Sequence, residues 1–176
     1  MRPLLAALAL LLPLSLHAAD KPQVVTSFSI LADLTQAIGG KHIELVNLVG
    51  ADEDAHVFEP SPEHAKALLK ADLIIANGLG FEPWLERLLG SSEARGTRID
   101  ASAGVLPLQL IEHGHSVPDP HAWHNLANTE LYIANITKAL IAADPANKPD
   151  YERNSQTYLK QIYALLAEAK NKLGAL

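Results

Sequence analysis

The sequence predicts an α/β fold, with a parallel sheet that carries helices on both faces and a long helix after it. Short apolar runs alternate with segments whose apolar residues recur at helical spacing. The last 25 or so residues keep one apolar helical face throughout. A strand-helix-strand rhythm of this kind is typical of parallel sheets covered by helices.

The apolar runs predict four strands, at residues 23–26, 42–49, 72–76 and 97–100. Helices are expected between them, at residues 28–38, 62–70 and 82–89. Gly39-Gly40 is a stop signal for the first helix. Ser61-Pro62 marks the start of the second, because it combines an N-cap residue with a proline at the first helical position.

Two more helices are expected towards the C-terminus. Asn128 is interpreted as the cap of the first, which continues to Ile141 and is broken at Asp144-Pro145. A long helix then covers residues 149–173. Its apolar face consists of Tyr158, Ile162, Leu165, Leu166, Ala169 and Leu173. An amphipathic helix of that length needs a surface to pack against.

Residues 1–19 are interpreted as a secretory signal peptide. Arg2 is followed by an apolar run from Leu4 to Leu16 and by the small pair Ala18-Ala19. The run is shorter than the roughly 20 apolar residues of a membrane-spanning helix. We expect cleavage after Ala19 and a soluble periplasmic protein without a membrane anchor. A retained N-terminal anchor is the alternative.

Composition restricts the chemistry. The formal charge is −6, with 14 basic and 20 acidic residues, which argues against nucleic acid or anionic membranes as partners. The chain has no cysteine, so disulfides, thiolate metal sites, cysteine nucleophiles and a lipid-modified cysteine are excluded. Any metal ion must be held by histidine, aspartate or glutamate. Neutral imidazole is a good ligand for zinc, copper, iron or nickel.

Seven histidines follow the predicted signal peptide: His42, His56, His64, His113, His115, His121 and His124. His56 lies in an acidic loop after the strand that ends at Val49, and ligands of open parallel sheets bind beyond the carboxyl ends of strands. Acidic neighbours of His56 attract cations. The alternative for His56 is an exposed residue in an ordinary solvated loop.

His121 lies in the segment 119–125, Asp-Pro-His-Ala-Trp-His-Asn. Pro120 restricts the backbone, so His121 is expected in a rigid turn. Trp123 provides either an apolar wall for a metal site or simply a core side chain. The segment 113–115, His-Gly-His, is interpreted as a flexible solvated loop that could load a metal ion transiently. His42 and His64 are expected to be structural or exposed.

These segments together resemble a known family. Residues 50–62, with His56 followed by an aromatic residue and Glu-Pro-Ser-Pro, are similar to the first metal-ligand loop of the zinc and manganese solute-binding proteins of ABC importers, the cluster A-I group. Residues 119–123 resemble the second ligand motif of that family. Residues 71–85 resemble its central strand and the turn after it. The resemblance extends from about Val24 to the C-terminus.

The resemblance implies a two-lobed protein that binds metal between lobes joined by one long helix. Residues 20–145 would be the N-terminal metal-binding lobe and 146–176 the connecting helix, with the second lobe absent from this sequence. His56 and His121 would be metal ligands. The second lobe would add a histidine or glutamate and usually an aspartate. The implied partner is an ABC import permease, and we expect a monomer.

The expected function is therefore capture of a divalent transition metal outside the cytoplasm, without catalysis. Zinc is favoured because imidazoles suit it, and manganese remains possible. A zinc-dependent hydrolase is an alternative, in which Asp54 or Glu59 activates water. The sequence has no His-Glu-x-x-His helix to favour it. A metal-binding adhesion or interaction protein on the same scaffold is a third interpretation.

Overall fold

The computed structural model describes residues 20–112 and 114–174 of the chain. The predicted signal peptide, residues 1–19, and His113 therefore lie outside the described residues. Within those two ranges, no helix has the length and apolar character needed to cross a membrane.

The centre of the fold is a four-stranded parallel sheet, which confirms the predicted α/β class. Its strands are β1 (Gln23–Phe28), β2 (Glu44–Val49), β3 (Leu73–Ala76) and β4 (Thr97–Asp100), in the order β2-β1-β3-β4. The two central strands are buried almost throughout, as expected for strands covered on both faces. The outer strands are more exposed.

Helices cover both faces of this sheet. They are α1 (Ser29–Gly39), α2 (Pro62–Lys70), α3 (Pro83–Ser91), α4 (Leu126–Ala143) and α5 (Lys148–Leu173). The chain moves outward from β1 to β2 and then returns past β1 to β3. Because crossovers are right-handed, this reversal places α1 on one face and α2 and α3 on the other. Helices α4 and α5 pack against α1.

The start of α4 differs from its prediction. Asn125, not Asn128, is the N-cap: its side-chain oxygen accepts a hydrogen bond from the Ala127 N–H at 2.9 Å. Asn128 lies in the first turn and donates its side-chain N–H to the Ala122 carbonyl at 3.0 Å. Two asparagines three residues apart are equally good caps in sequence. The path of the preceding turn selects between them.

The interpretation of residues 113–115 as a flexible loop was wrong for His115, which belongs to a strand, and His113 lies outside the described residues. Strands β5 (Gln109–Glu112) and β6 (His115–Pro118) form an antiparallel hairpin in which Glu112 pairs with His115. Gly114, at φ +82°, lies in their tight connection, where a left-handed backbone favours glycine. The four-residue strands are too short to show a clear alternation in the sequence.

Helix α5 is anchored from its start to about Tyr163, whose hydroxyl donates a hydrogen bond to the Glu130 carboxylate. Tyr151 and Ser155 are buried, and the Asn154 side chain donates a hydrogen bond to the Ile38 carbonyl at 2.9 Å. His42 pairs with Asp150 at 2.7 Å, which confirms a structural role for this histidine. Farther along, Leu165 and Leu173 are each 67% exposed. The predicted apolar face therefore contacts the domain at Tyr158 and Ile162 but not along its whole length.

Candidate metal centre

The candidate site lies at the carboxyl edge of the parallel sheet. The strand order reverses between β1 and β3, which in open α/β sheets opens a crevice for ligands beyond the strand ends. The loop after β2 carries His56, and the segment before α4 carries His121. The two segments meet at this edge.

His56 belongs to a loop that is held at its neighbour. The indole N–H of Trp84, a side chain with 1% exposure, donates to the Ala55 carbonyl at 2.7 Å. Ala55 is buried, while His56 is exposed. The Asp54 carboxylate accepts a hydrogen bond from the His56 backbone N–H at 2.9 Å. These contacts fix the backbone of His56 but leave its ring without a carboxylate partner among the described residues.

His121 precedes a short 3-10 turn, Ala122–His124, and is held by Asp119. The Asp119 carboxylate accepts from the His121 backbone N–H at 3.0 Å and lies 2.8 Å from ring Nδ1. These hydrogen bonds, the backbone one first, lower the pKa of Asp119 below its ordinary value. An ionised carboxylate only accepts, so Nδ1 carries the ring proton. In the neutral ring, Nε2 then has a free lone pair.

The two predicted ligands converge, although 65 positions separate them in the sequence. His56 Nε2 and His121 Nε2 are 3.1 Å apart. Two tetrahedral zinc–nitrogen bonds of about 2.05 Å place their nitrogens about 3.3 Å apart. The observed separation is therefore close to what one bound ion requires. Within residues 20–112 and 114–174, no group of three or more histidine, aspartate or glutamate side chains is arranged to hold a metal ion.

Aromatic rings surround the imidazole pair on its protein side. The Phe81 ring lies 4.6 Å from the His56 ring and 5.8 Å from that of His121. The Trp123 ring lies 5.4 Å from His121 and 4.9 Å from Phe28. Trp123 thus packs against the edge of the core, and it also contacts the candidate ligand His121, so its role as a wall of a metal site stays a prediction. Phe28 and Phe81 were not predicted from the sequence as part of the site. Phe28 is the last residue of β1, and Phe81 follows β3 in the turn after it.

Other candidate residues stay outside this pair. His64 Nδ1 accepts the Ser61 N–H at 2.9 Å at the start of α2, a structural role. His124 stacks on His121 at a ring distance of 6.5 Å, and His115 is exposed in the hairpin. Glu59, one of the two residues considered for activating water, is exposed and pairs with neither histidine in the described structure. Asp54, the other, is engaged with the backbone of His56.

The chain is similar in sequence to metal-binding proteins of ABC transporters. A family model described as "Zinc-uptake complex component A periplasmic" (ZnuA) matches residues 24–176. The manganese ABC transporter substrate-binding lipoprotein PsaA of Streptococcus pneumoniae is 40% identical over 163 residues, covering 89% of this chain and 53% of PsaA. The iron ABC transporter substrate-binding lipoprotein MtsA of Streptococcus pyogenes serotype M1 is 38% identical over 167 residues, covering 90% of this chain and 53% of MtsA.

Solved structures of metal-binding proteins have the same fold as this chain. The Mn-bound periplasmic metal binding protein of Candidatus Liberibacter asiaticus superposes with a TM-score of 0.80 at 34% identity, covering 87% of this chain and 57% of that one. Zn(II)-bound AdcA of Streptococcus pneumoniae gives a TM-score of 0.71 at 25% identity, covering 82% and 31%. The chain spans about half the length of the curated relatives it matches. The resemblance seen in the histidine loops is thereby confirmed, and the chain belongs to the ZnuA family of metal-binding proteins of ABC transporters.

Proposed function

We propose that this chain captures a divalent transition-metal ion outside the cytoplasm and that His56 and His121 each contribute Nε2 to the ion. The observation that carries the proposal is the 3.1 Å separation of the two Nε2 atoms. The reaction is reversible coordination, so no bond of the cargo is broken and no catalytic group is needed. The family relationship supports this proposal over the hydrolase alternative.

The hydrogen bonds suggest how the ion enters. Because Asp119 holds the proton on His121 Nδ1, a neutral His121 ring can only accept at Nε2, and the donor between the two rings is then the His56 Nε2–H. A metal ion inserted between the two nitrogens replaces that hydrogen bond. His56 must then carry its ring proton on Nδ1, which has no hydrogen-bond partner among the described residues and can exchange it with solvent. His121 needs no change of tautomer, so its nitrogen is ready for the ion.

The identity of the ion is a finer question. Relatives at 38–40% identity are named for manganese and iron, and zinc enters through the family model and through AdcA. Two imidazoles alone bind zinc more strongly than manganese, in keeping with the general order of divalent-metal affinities. We propose that these two ligands prefer zinc and that additional oxygen ligands would be needed to favour manganese.

The remaining parts of the proposal follow the relatives. PsaA and MtsA are substrate-binding proteins of ABC transporters, so we propose an ABC import permease as the partner that receives the ion. We propose export to the periplasm through residues 1–19. Residues 20–145 form the metal-binding lobe of this proposal, and 146–176 its connecting helix. A monomer suffices, because both proposed ligands come from one chain.

Calorimetric titration of the chelator-stripped chain with Zn²⁺ and Mn²⁺ tests the proposal. Replacing either ligand, by His56→Ala or His121→Ala, should weaken zinc binding by more than about 100-fold. Substitution of a residue that only orients a metal ligand already lowers metal affinity by about 10- to 100-fold. His115→Ala is the matched control, because this histidine is exposed in the hairpin. Zinc binding that survives both ligand substitutions would exclude the site.

A further inference from the structure

The turn after β3 has an unusual backbone. Gly78, Leu79 and Gly80 have φ angles of +82°, +56° and +78°, and Leu79 is therefore a non-glycine residue in the left-handed region. The Phe81 N–H donates to the Gly78 carbonyl at 3.1 Å and closes the turn. Glycine adopts this conformation readily, but it is costly for Leu79, so it persists there only where surrounding contacts determine it. The turn brings the Phe81 ring against the rings of His56 and His121. It also brings the Glu82 carboxylate within hydrogen-bond distance of the Asn77 backbone N–H.

Asn77 lies between β3 and this turn, is fully buried and has a hydrogen-bond partner for every polar group. Its side-chain N–H groups donate to the Gly78 carbonyl at 3.0 Å and to the Pro120 carbonyl at 2.9 Å. Its side-chain oxygen accepts from the Tyr132 hydroxyl at 2.6 Å, which fixes the orientation of the amide. A buried amide with all partners in place is rigid, because any rotation would leave a polar group unpaired.

The Glu82 carboxylate fixes the backbone of Asn77 through hydrogen bonds. One carboxylate oxygen accepts from the Asn77 backbone N–H and from the Ser27 hydroxyl, each at 2.6 Å. The other accepts from the Gly78 N–H at 3.3 Å. Glu82 is 5% exposed, and burial raises its pKa although these hydrogen bonds oppose the change. The carboxylate thus joins β1 to the turn after β3.

We propose that Asn77 is a positioning residue for metal binding, which holds the backbone of His121 at the distance from His56 that one ion requires. This inference rests on the proposed function of the histidine pair. Asn77 touches neither imidazole in the described hydrogen bonds. It acts through the peptide that joins Pro120 to His121.

That peptide is held on both sides. Its carbonyl, from Pro120, accepts the Asn77 amide, and its N–H, from His121, donates to Asp119. A peptide unit is planar, so two hydrogen bonds on opposite edges fix its orientation. The Asp119 contact with Nδ1 then fixes the ring. Phe81, which follows the same turn, packs against the His56 ring. The turn and the residues beside it therefore contact the segments of both proposed ligands.

Asn77→Ala tests the inference, with Asn135→Ala as the matched control. Asn135 also donates two side-chain hydrogen bonds to backbone carbonyls, those of Ala101 and Ala103, but in the segment after β4. We expect Asn77→Ala to weaken zinc binding about tenfold, as for other residues that orient a metal ligand, and Asn135→Ala to leave it unchanged. Unfolding midpoints of both variants separate loss of stability from loss of affinity. The visible spectrum of bound Co²⁺ should change in Asn77→Ala alone.

Tyr132→Phe is a milder second variant, because it removes only the hydroxyl that orients the Asn77 amide. If Asn77→Ala does not fold, weaker zinc binding by Tyr132→Phe supports the inference and unchanged binding overturns it. A folded Asn77→Ala that binds zinc like the unsubstituted chain also overturns it. Zinc binding that does not depend on His56 or His121 is a different result, since it rejects the proposed function itself.

Discussion

Two tripeptides of the same pattern carry the candidate ligands, Asp54-Ala55-His56 and Asp119-Pro120-His121. In both, the aspartate accepts a hydrogen bond from the backbone N–H of the histidine, at 2.9 and 3.0 Å. Only Asp119 also reaches the imidazole, at 2.8 Å from Nδ1. The same local motif therefore orients the side chain in one case and only the backbone in the other.

The surroundings explain the difference. The segment around His121 is held by three side chains on its backbone carbonyls: Asn77 on Pro120, Asn128 on Ala122, and Thr129 on Trp123. The segment around His56 has one such anchor in the described structure, the Trp84 indole on Ala55, and the next residue, Val57, is 73% exposed. We infer that His121 is pre-oriented and that His56 adjusts, a division suited to the reversible metal binding that we propose.

Of the changes that compare the two segments, the largest effect is expected from Asp119. Asp119→Asn should weaken zinc binding about tenfold, because an amide no longer favours the proton on His121 Nδ1. Asp54→Asn should change the affinity by less than about twofold, since its oxygen still accepts the His56 backbone N–H and it does not orient the ring. Calorimetry on the two variants compares them directly. Equal losses would contradict the distinction between the tripeptides.

A smaller effect is expected from the anchor of the His56 segment. Trp84→Phe keeps an aromatic ring but leaves the Ala55 carbonyl without its partner and reduces a buried side chain, which should lower the free energy of unfolding by about 2 kcal/mol. Zinc affinity should fall only slightly, because His56 is already adjustable. Trp123→Phe is the comparison on the His121 side, since the Trp123 indole N–H donates to no described residue. Urea unfolding with and without zinc gives both quantities. A tenfold loss of affinity in Trp84→Phe would show that the His56 segment is as rigid as the other.

The smallest effect concerns the buried carboxylate that supports the His121 side. Burial raises the pKa of Glu82 above 4.5, so the folded state holds this proton more tightly than the unfolded state does. The resulting stability is present below pH 4.5 and is lost as the pH rises through the folded-state pKa. Glu82→Gln lacks this titration. Its stability relative to the unsubstituted chain should therefore improve from pH 4.5 to 7, as measured by urea unfolding at several pH values. A constant difference would mean that the pKa of Glu82 is not raised.

Local signals in the sequence predicted several elements to within a residue or two. The helix expected after Ser61-Pro62 is α2, Pro62–Lys70, and the strand expected at 97–100 is β4. The family resemblance, based on the two histidine loops, is confirmed by the match over residues 24–176. His56 and His121 as metal ligands remain a prediction, now supported by their proximity. The β5–β6 hairpin was missed because its strands have only four residues each, and the Asn125 cap was missed because Asn128 is an equally good cap in sequence.

The contacts that build the site are of a different kind, because they join distant parts of the chain. The composition and the pattern of apolar residues specify strands, helices and their order, since these depend on neighbours within one or two turns. The hydrogen bond from Asn77 to Pro120 spans 43 positions, and the approach of His56 to His121 spans 65. Such contacts depend on how the strands are ordered and on which loops meet at their carboxyl ends. Only the folded sheet shows that one histidine is held at its ring and the other only at its backbone.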